Sequence, residues 1–135
     1  MIARALVAVA LLLAGCVHYP SVEGIGGVRI RPDKGRAVRA GDGYAVYMEI
    51  VSTGKFGDLL IGATTTVAQQ ARLVNAGGDP RGTIDIPGAT TVVFAPGGPH
   101  LLLTDLTRPL ATGETIIITL LFAKSGGIGV VTLVE

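Results

Sequence analysis

The sequence predicts an all-β sandwich. Eight or nine short apolar runs follow one another, and turn residues separate them about every eight to twelve residues. Glycine supplies 20 of the 135 residues, which suits a chain with many turns. Helical spacing is clear only in residues 1–15. Apolar residues make up 49% of the chain, and the ~110 residues of the remaining domain are enough to bury a two-sheet core.

The N-terminus has the layout of a secretory signal. Residues 1–15 combine an early cation, Arg4, with a short apolar run that is too short for an ordinary transmembrane helix. The next residues, Leu13-Ala14-Gly15-Cys16, are similar to the bacterial lipobox. This resemblance implies that Cys16 is acylated and becomes the first residue of the mature chain. The alternative is an ordinary signal peptide followed by a coincidental cysteine.

The chain therefore divides into a lipoprotein signal peptide (1–15), a tether (16–27) and a sandwich domain (28–135). The tether is short and irregular, as expected of a link between a lipid and a domain. Cys16 is the only cysteine, so no intrachain disulfide can form. We expect a protein of the cell envelope, held on a membrane by its lipid anchor and facing the periplasm or the exterior.

Residues 28–39 form the most basic stretch, in which five cations oppose one acid. The cations are Arg29, Arg31, Lys34, Arg36 and Arg39, and the acid is Asp33. Two interpretations are open: contact with anionic lipid headgroups near the anchor, or a solvated edge strand and turn. The formal net charge of the whole chain is only +1, which argues against nucleic acid as a partner.

Beyond residue 43 the chain alternates between strand formers and turns. The predicted strands are Tyr44–Val51, Leu59–Ala63, Thr66–Val74, Thr83–Ile86, Thr90–Ala95, His100–Leu106, Glu114–Ala123 and Ile128–Val134. The glycine-rich segment 75–82 predicts a loop, and Pro96-Gly97-Gly98-Pro99 predicts a tight turn. The continuous run IIITLLF in the strand from Glu114 predicts coverage on both faces.

Four blocks, taken in order, carry a resemblance to a known family. They are Ala45–Ile50 followed by Gly54; Gly57–Ala63 with Val67-Ala68; Pro96-Gly97-Gly98-Pro99-His100; and Leu106, Pro109-Leu110, Gly113 and Thr119–Phe122. They resemble the bacterial PCu(A)C copper chaperones over nearly all of residues 43–135. The resemblance implies a cupredoxin-like or immunoglobulin-like Greek-key β-sandwich outside the cytoplasmic membrane.

The resemblance also implies a ligand set, of which most is missing here. The family holds Cu(I) with two His and two Met, soft donors that suit a soft ion. The histidine after the Pro-Gly-Gly turn is retained as His100, whereas Leu102 and Val74 stand at a Met and a His position. Residues 75–83 replace a Met-bearing hairpin and contain no Met. Met48 matches a strand methionine rather than a ligand.

His100 is therefore the one candidate metal ligand, and we expect Cu(I) binding to be weak or absent. In one interpretation His100 is a remnant ligand that His18 of the tether or a second molecule completes. In the other, it is a histidine at the start of a strand, hydrogen-bonded or solvated. A lone imidazole offers no chelate and cannot hold Cu(I) tightly.

No arrangement of residues indicates an enzyme. Ser21, Ser52 and Ser125 fall in the tether or in turns, and no G-x-S-x-G or phosphate-binding motif occurs. The first functional hypothesis is a membrane-anchored lipoprotein that acts in copper handling, or in delivery to a copper-acceptor protein, with a degenerate metal site. The alternative is an envelope lipoprotein that binds no metal and serves as a protein-interaction or structural module.

Overall fold

The computed structural model describes residues 27–75 and 82–135. Within these residues the chain forms nine β-strands, in this order: β1 (Ile30–Ala40), β2 (Gly43–Ser52), β3 (Asp58–Thr65), β4 (Ala68–Val74), β5 (Ile84–Ile86), β6 (Thr90–Val93), β7 (His100–Leu106), β8 (Thr115–Phe122) and β9 (Gly126–Val134). No helix in this part of the chain is long and apolar enough to cross a membrane. The predicted signal peptide, Cys16 and His18 lie outside the described residues.

The strands build a Greek-key sandwich, as the sequence predicts. They follow the path β1-β9-β8-β3-β4-β7-β2-β6, with β5 beside β3. β1 runs antiparallel to β2 and parallel to β9, so it closes the path. The path turns a corner between β3 and β4, where Thr65 and Ala68 are the only register partners. One layer holds β3, β5, β8 and β9, and the other holds β2, β4, β6 and β7.

The core lies between the two layers and takes alternate residues from most of the length of β2, β7, β8 and β9. On β2, Met48 and Ile50 are at most 2% exposed, and on β7, Leu101 and Leu103 are fully buried. Because successive side chains of a strand point to opposite faces, the residues that alternate with these face outward. His100 belongs to this outward set.

Strand β8 corrects one prediction. Every second residue from Ile116 to Leu120 is buried, but Ile117 between them is 63% exposed. Ile117 lies opposite Val131 of β9, which is 65% exposed. The unbroken apolar run therefore reflects strand-forming side chains on an uncovered outer face, not a strand covered on both faces.

One interpretation of the basic stretch is a solvated edge strand and turn. In the structure β1 is not an edge strand, because other strands flank it on both sides. It pairs with β2 along most of its length and with β9 at Gly35–Ala37. A bulge interrupts the register between Asp33 and Arg36, and Lys34 there has a φ of 54°. A side chain at Gly35 would collide with Thr132 and the carbonyl of Val131, so a glycine allows β1 and β9 to approach.

Asp58, at the start of β3, holds the turn between β8 and β9. The residue is 4% exposed. Its carboxylate accepts hydrogen bonds from the backbone N–H groups of Leu59 (2.7 Å), Lys124 (2.9 Å) and Ser125 (2.8 Å), and from the Ser125 hydroxyl (2.6 Å). Burial alone raises the pKa of Asp58. These hydrogen bonds, led by that from Ser125, outweigh burial and hold the pKa below its ordinary value.

We expect Asp58→Asn to lower the free energy of unfolding by about 1–3 kcal/mol, because an amide cannot accept all of these hydrogen bonds. The folded-state pKa is depressed, so the contribution of the carboxylate is complete above the unfolded value of 3.8. It is lost as the pH falls through the lower folded value. Urea unfolding across the acid range measures this effect.

The difference in stability between wild type and Asp58→Asn should be widest near neutral pH and should close in acid. Asp85→Asn is the matched control, since Asp85 is an exposed residue on the neighbouring strand β5. A difference that does not change with pH would contradict this account of Asp58.

Candidate metal site

The Pro-Gly-Gly-Pro segment forms the predicted turn. The backbone N–H of Gly98 donates to the carbonyl of Ala95 at 2.9 Å, and Gly97 has a φ of 81°, a conformation that glycine adopts without strain. The turn joins β6 to β7. Val93, the last residue of β6, pairs with Glu49, and Leu101, the second residue of β7, pairs with Val46. It therefore delivers His100 to the outer face of β7, beside the middle of β2.

The imidazole of His100 is held by two neighbours. Its Nδ1 lies 2.9 Å from the carbonyl oxygen of Gly98, and its ring centroid lies 5.9 Å from that of Tyr47 at a tilt of 56°. Since a carbonyl can only accept, Nδ1 carries the proton in this bond. Nε2 of the neutral ring then bears the lone pair that a metal ion could use.

The two positions that the resemblance assigns to further ligands lie next to His100. Val74 of β4 is its direct register partner across the β4–β7 ladder. Leu102 lies two residues further along β7, so it is on the same face. Directly opposite residues on one face have Cβ atoms about 5 Å apart, which suits two ligands of one ion. Val74 and Leu102 themselves offer only hydrocarbon to an ion at this place.

Met48 does not supply the missing sulfur. It is 2% exposed and belongs to the core. Tyr47, its neighbour on β2, faces outward toward His100, so Met48 points to the opposite side of the sheet. The prediction that Met48 is a strand methionine agrees with its burial.

Among residues 27–75 and 82–135, no three His, Cys, Asp or Glu side chains meet in a way that could hold a metal ion. Residues 76–81, most of the predicted loop 75–82, lie outside the described residues. Beside them, the side-chain amide of Asn75 donates a hydrogen bond to the carbonyl of Thr83 (2.8 Å). A Cu(I) ion at His100 would need at least one further soft donor from elsewhere.

The sequence did not predict the row of polar side chains that lies beside His100. The guanidinium of Arg36 lies 5.0 Å from the centroid of the Tyr47 ring and 3.4 Å from the carboxylate of Glu135. Lys34 pairs with Glu49 at 3.4 Å. The members of this row on β1 and β2 line an open cleft of about 350 Å³. The other residues that line it are Val93, Phe94, Ala95 and Met48.

The alternation of β2 was the signal that could have revealed Tyr47. If Tyr44, Val46 and Met48 belong to the core, the alternation of side chains along a strand places Tyr47 on the outer face. The partner residue on β1 could not be read in the same way, because the bulge between Asp33 and Arg36 shifts the register. Arg36 adds positive charge near His100, which disfavours a cation there unless Glu135 offsets it.

The fold is that of the PCuAC domains. The structure superposes on the copper-bound PCuAC domain from PmoF2 with a TM-score of 0.70 and 24% identity, over 88% of this chain and 98% of that one. It superposes on the Cu(I) form of DR1885 from Deinococcus radiodurans with a TM-score of 0.69 and 23% identity, over 84% of this chain and 83% of that one. The predicted cupredoxin-like class is confirmed.

The chain belongs to the LpqE-like lipoprotein family. The family described as "Putative lipoprotein LpqE-like" matches residues 25–134. A relative in Leifsonia xyli subsp. xyli, "Putative lipoprotein Lxx21020", is 31% identical over 134 residues, which cover 90% of this chain and 81% of that protein. A lipoprotein family with a PCuAC-like fold is what the lipobox and the four sequence blocks together indicated.

We expect Val74→His to create a Cu(I) site. The new imidazole would face His100 directly, and two donors held together bind about a hundredfold more tightly than one. Adding Leu102→Met would strengthen the site with a thioether. Competition against a chromogenic Cu(I) chelator measures the gain.

Gln70→His is the matched control for Val74→His. Gln70 lies four residues away on the same strand and pairs with Thr104 rather than with His100. An equal gain in both variants, or no gain in Val74→His, would show that the outer face of β4 and β7 does not have the geometry of a copper site.

Proposed function

We propose that this protein is a lipid-anchored envelope protein that takes part in copper handling without a complete copper site of its own. In this proposal Cys16 carries the lipid and the sandwich faces the periplasm or the exterior. His100 gives one donor to Cu(I), and a copper-acceptor protein or His18 of the tether gives the others. The protein is an accessory to copper delivery and not an enzyme.

The observation that carries the proposal is the fixed orientation of His100. Metal-ligating histidines usually donate their other ring N–H to a carbonyl or carboxylate, which fixes the tautomer and aims the free nitrogen. His100 has this arrangement through Gly98, and Val74 opposite it keeps the neighbouring space apolar. The Cu(I) form of DR1885, a protein of the same fold, supports Cu(I) as the ion.

A site with one donor suits transfer better than storage. An ion held by His100 alone would leave as soon as an acceptor offered two soft ligands, since each added donor raises the affinity. The protein would therefore pass copper on or help to dock the acceptor.

The alternative function is an interaction module that binds no metal. The observation that favours it is the outer face of β8 and β9, where Ile117 and Val131 are 63% and 65% exposed and lie opposite each other. The outward positions of both strands carry no charged residue. Such a face fits a partner protein with an uncharged apolar surface.

Competition for Cu(I) distinguishes these two functions. The mature chain from residue 16, with Cys16→Ala so that no thiol contributes, should compete weakly and with one-to-one stoichiometry against a Cu(I) chelator. His100→Ala should lower this binding at least tenfold, since His100 supplies the one fixed imidazole. His18→Ala should lower it only if the tether completes the site.

Thr104→Ala is the control for His100→Ala, because Thr104 lies on the same face of β7 four residues away. Copper binding that survives His100→Ala would reject His100 as a ligand. Complete indifference of the protein to copper, with and without a candidate acceptor, would favour the interaction module.

Acylation at Cys16 has a separate test. Intact mass of the wild-type protein from membranes should show an N-terminal residue 16 that carries acyl chains, since stable anchoring needs more than one chain. Cys16→Ala should lack this mass, whereas Ser21→Ala, a change elsewhere in the tether, should retain it. A wild-type chain that is processed at another residue and carries no lipid would contradict the anchor.

A further inference from the structure

The described chain enters the sandwich at one end, which we call the basal end and define as residues 27–29, 53–57 and 123–125. The carbonyl of Gly27 accepts a hydrogen bond from the backbone N–H of Phe56 (3.0 Å), and the carbonyl of Arg29 accepts one from Thr53 (3.1 Å). The first described residues are thus tied to the loop between β2 and β3.

An exposed aromatic side chain lies at this end. Phe56 is 51% exposed, and the ammonium group of Lys55 lies 5.6 Å from the centroid of its ring. Phe56 is the only aromatic residue among the exposed large hydrophobics of the described chain. An apolar ring flanked by a lysine is a common arrangement at a membrane interface, where the ring enters the headgroup region and the ammonium stays at its surface.

The charge at the basal end is positive. Arg29, Lys55 and Lys124 are exposed there, whereas Asp58 is buried beneath the β8–β9 turn. Asp85, on β5, is the one exposed acid beside this end in the described chain. At the opposite end of the strands, the acids outnumber the cations. The acids there are Asp42, Asp105, Glu114 and Glu135, and the cations are Arg36, Arg39 and Arg108.

The length of the tether places the basal end near the bilayer. Eleven peptide units join Cys16 to Gly27, and even a fully extended chain of that length spans at most about 40 Å. A lipid on Cys16, on which this inference rests through the proposed function, would keep the basal end within that distance. The positive end that carries Phe56 is therefore the end to which the tether is joined.

We propose that the basal end is a docking surface for an anionic bilayer. The Phe56 ring enters the boundary between headgroups and acyl chains, and Arg29, Lys55 and Lys124 contact anionic headgroups. Each cation near such a surface strengthens binding about fivefold. The strands then stand upright on the membrane, and the outer face of β7 with His100 stays open to a partner.

A tryptophan at position 56 reports the insertion, because the sequence contains no other tryptophan. The probe is the mature chain with Cys16→Ala and Phe56→Trp, mixed with vesicles of phosphatidylglycerol and phosphatidylcholine. We expect its emission to shift to the blue on these vesicles and not on phosphatidylcholine alone. Ile117→Trp is the matched control, since Ile117 is 63% exposed on the outer face of β8 and should show no shift.

The charge contribution is measured by sedimentation with the same vesicles. Lys55→Glu with Lys124→Glu should lower binding at least 25-fold, and added salt should lower wild-type binding in the same direction. Arg29→Glu should weaken binding, whereas Arg39→Glu should not. Both are exposed, but ten residues of extended β1 place them about 33 Å apart. Circular dichroism of each variant verifies that it is folded.

A blue shift in Ile117→Trp but not in Phe56→Trp would overturn the proposal in favour of the apolar face, and no shift in either would overturn membrane docking altogether. These measurements use a chain without lipid, so their outcome is independent of acylation. The mass of the wild-type protein tests whether Cys16 is acylated, and vesicle binding tests the docking surface.

Discussion

The register between β4, β7 and β2 is the constraint on which the candidate site depends. Leu101 and Leu103 are fully buried, and a slip of one residue would move both into solvent and the outward set into the core. At roughly 1.5–3 kcal/mol for each buried leucine, such a slip is strongly disfavoured. The core therefore holds Val74 opposite His100, although neither residue belongs to the core layer between the sheets.

This dependence means that the fold does not require metal ligands on the outer face of β4 and β7. The outer face of β4 and β7 needs residues that suit a pleated, half-buried surface, and valine and leucine satisfy that need. Val74 is 9% exposed, so a polar donor at this position would have to be hydrogen-bonded or metal-bound to avoid a desolvation cost. Hydrocarbon at this position carries no such cost and is compatible with the β4–β7 ladder.

The sequence predicted the bounds of the strands better than it predicted which of their faces another layer covers. His100–Leu106 matched β7 to the residue, because a proline-bounded turn and a clean alternation mark it. The predicted strand from Thr66 began two residues early, since Thr66 and Val67 form the turn before β4. For β8, local apolarity could not reveal whether another layer covers Ile117. That depends on distant parts of the chain.

The same limit applies to the site. The turn and His100 were predictable from local sequence and from the family resemblance. The contacts of Arg36 with Tyr47 and Glu135 were not, because they join β1, β2 and the C-terminus across a bulge that shifts the register. The cleft beside His100 is a product of that long-range pairing.

The two proposals together restrict where a second copper donor can come from. Tyr47, on β2, precedes Thr53 by six residues. With the basal end on the bilayer, Tyr47 and its neighbour His100 therefore lie roughly 20 Å from the headgroups. His18 follows a lipid-bearing Cys16 by two residues, so it can rise only about 7 Å above the membrane. If both proposals hold, a docked domain does not complete His100 with its own tether, and the missing donors come from a second molecule or an acceptor protein that approaches the outer face of β7. Tether completion requires the domain to leave the bilayer, which makes docking and self-ligation mutually exclusive states of the same chain.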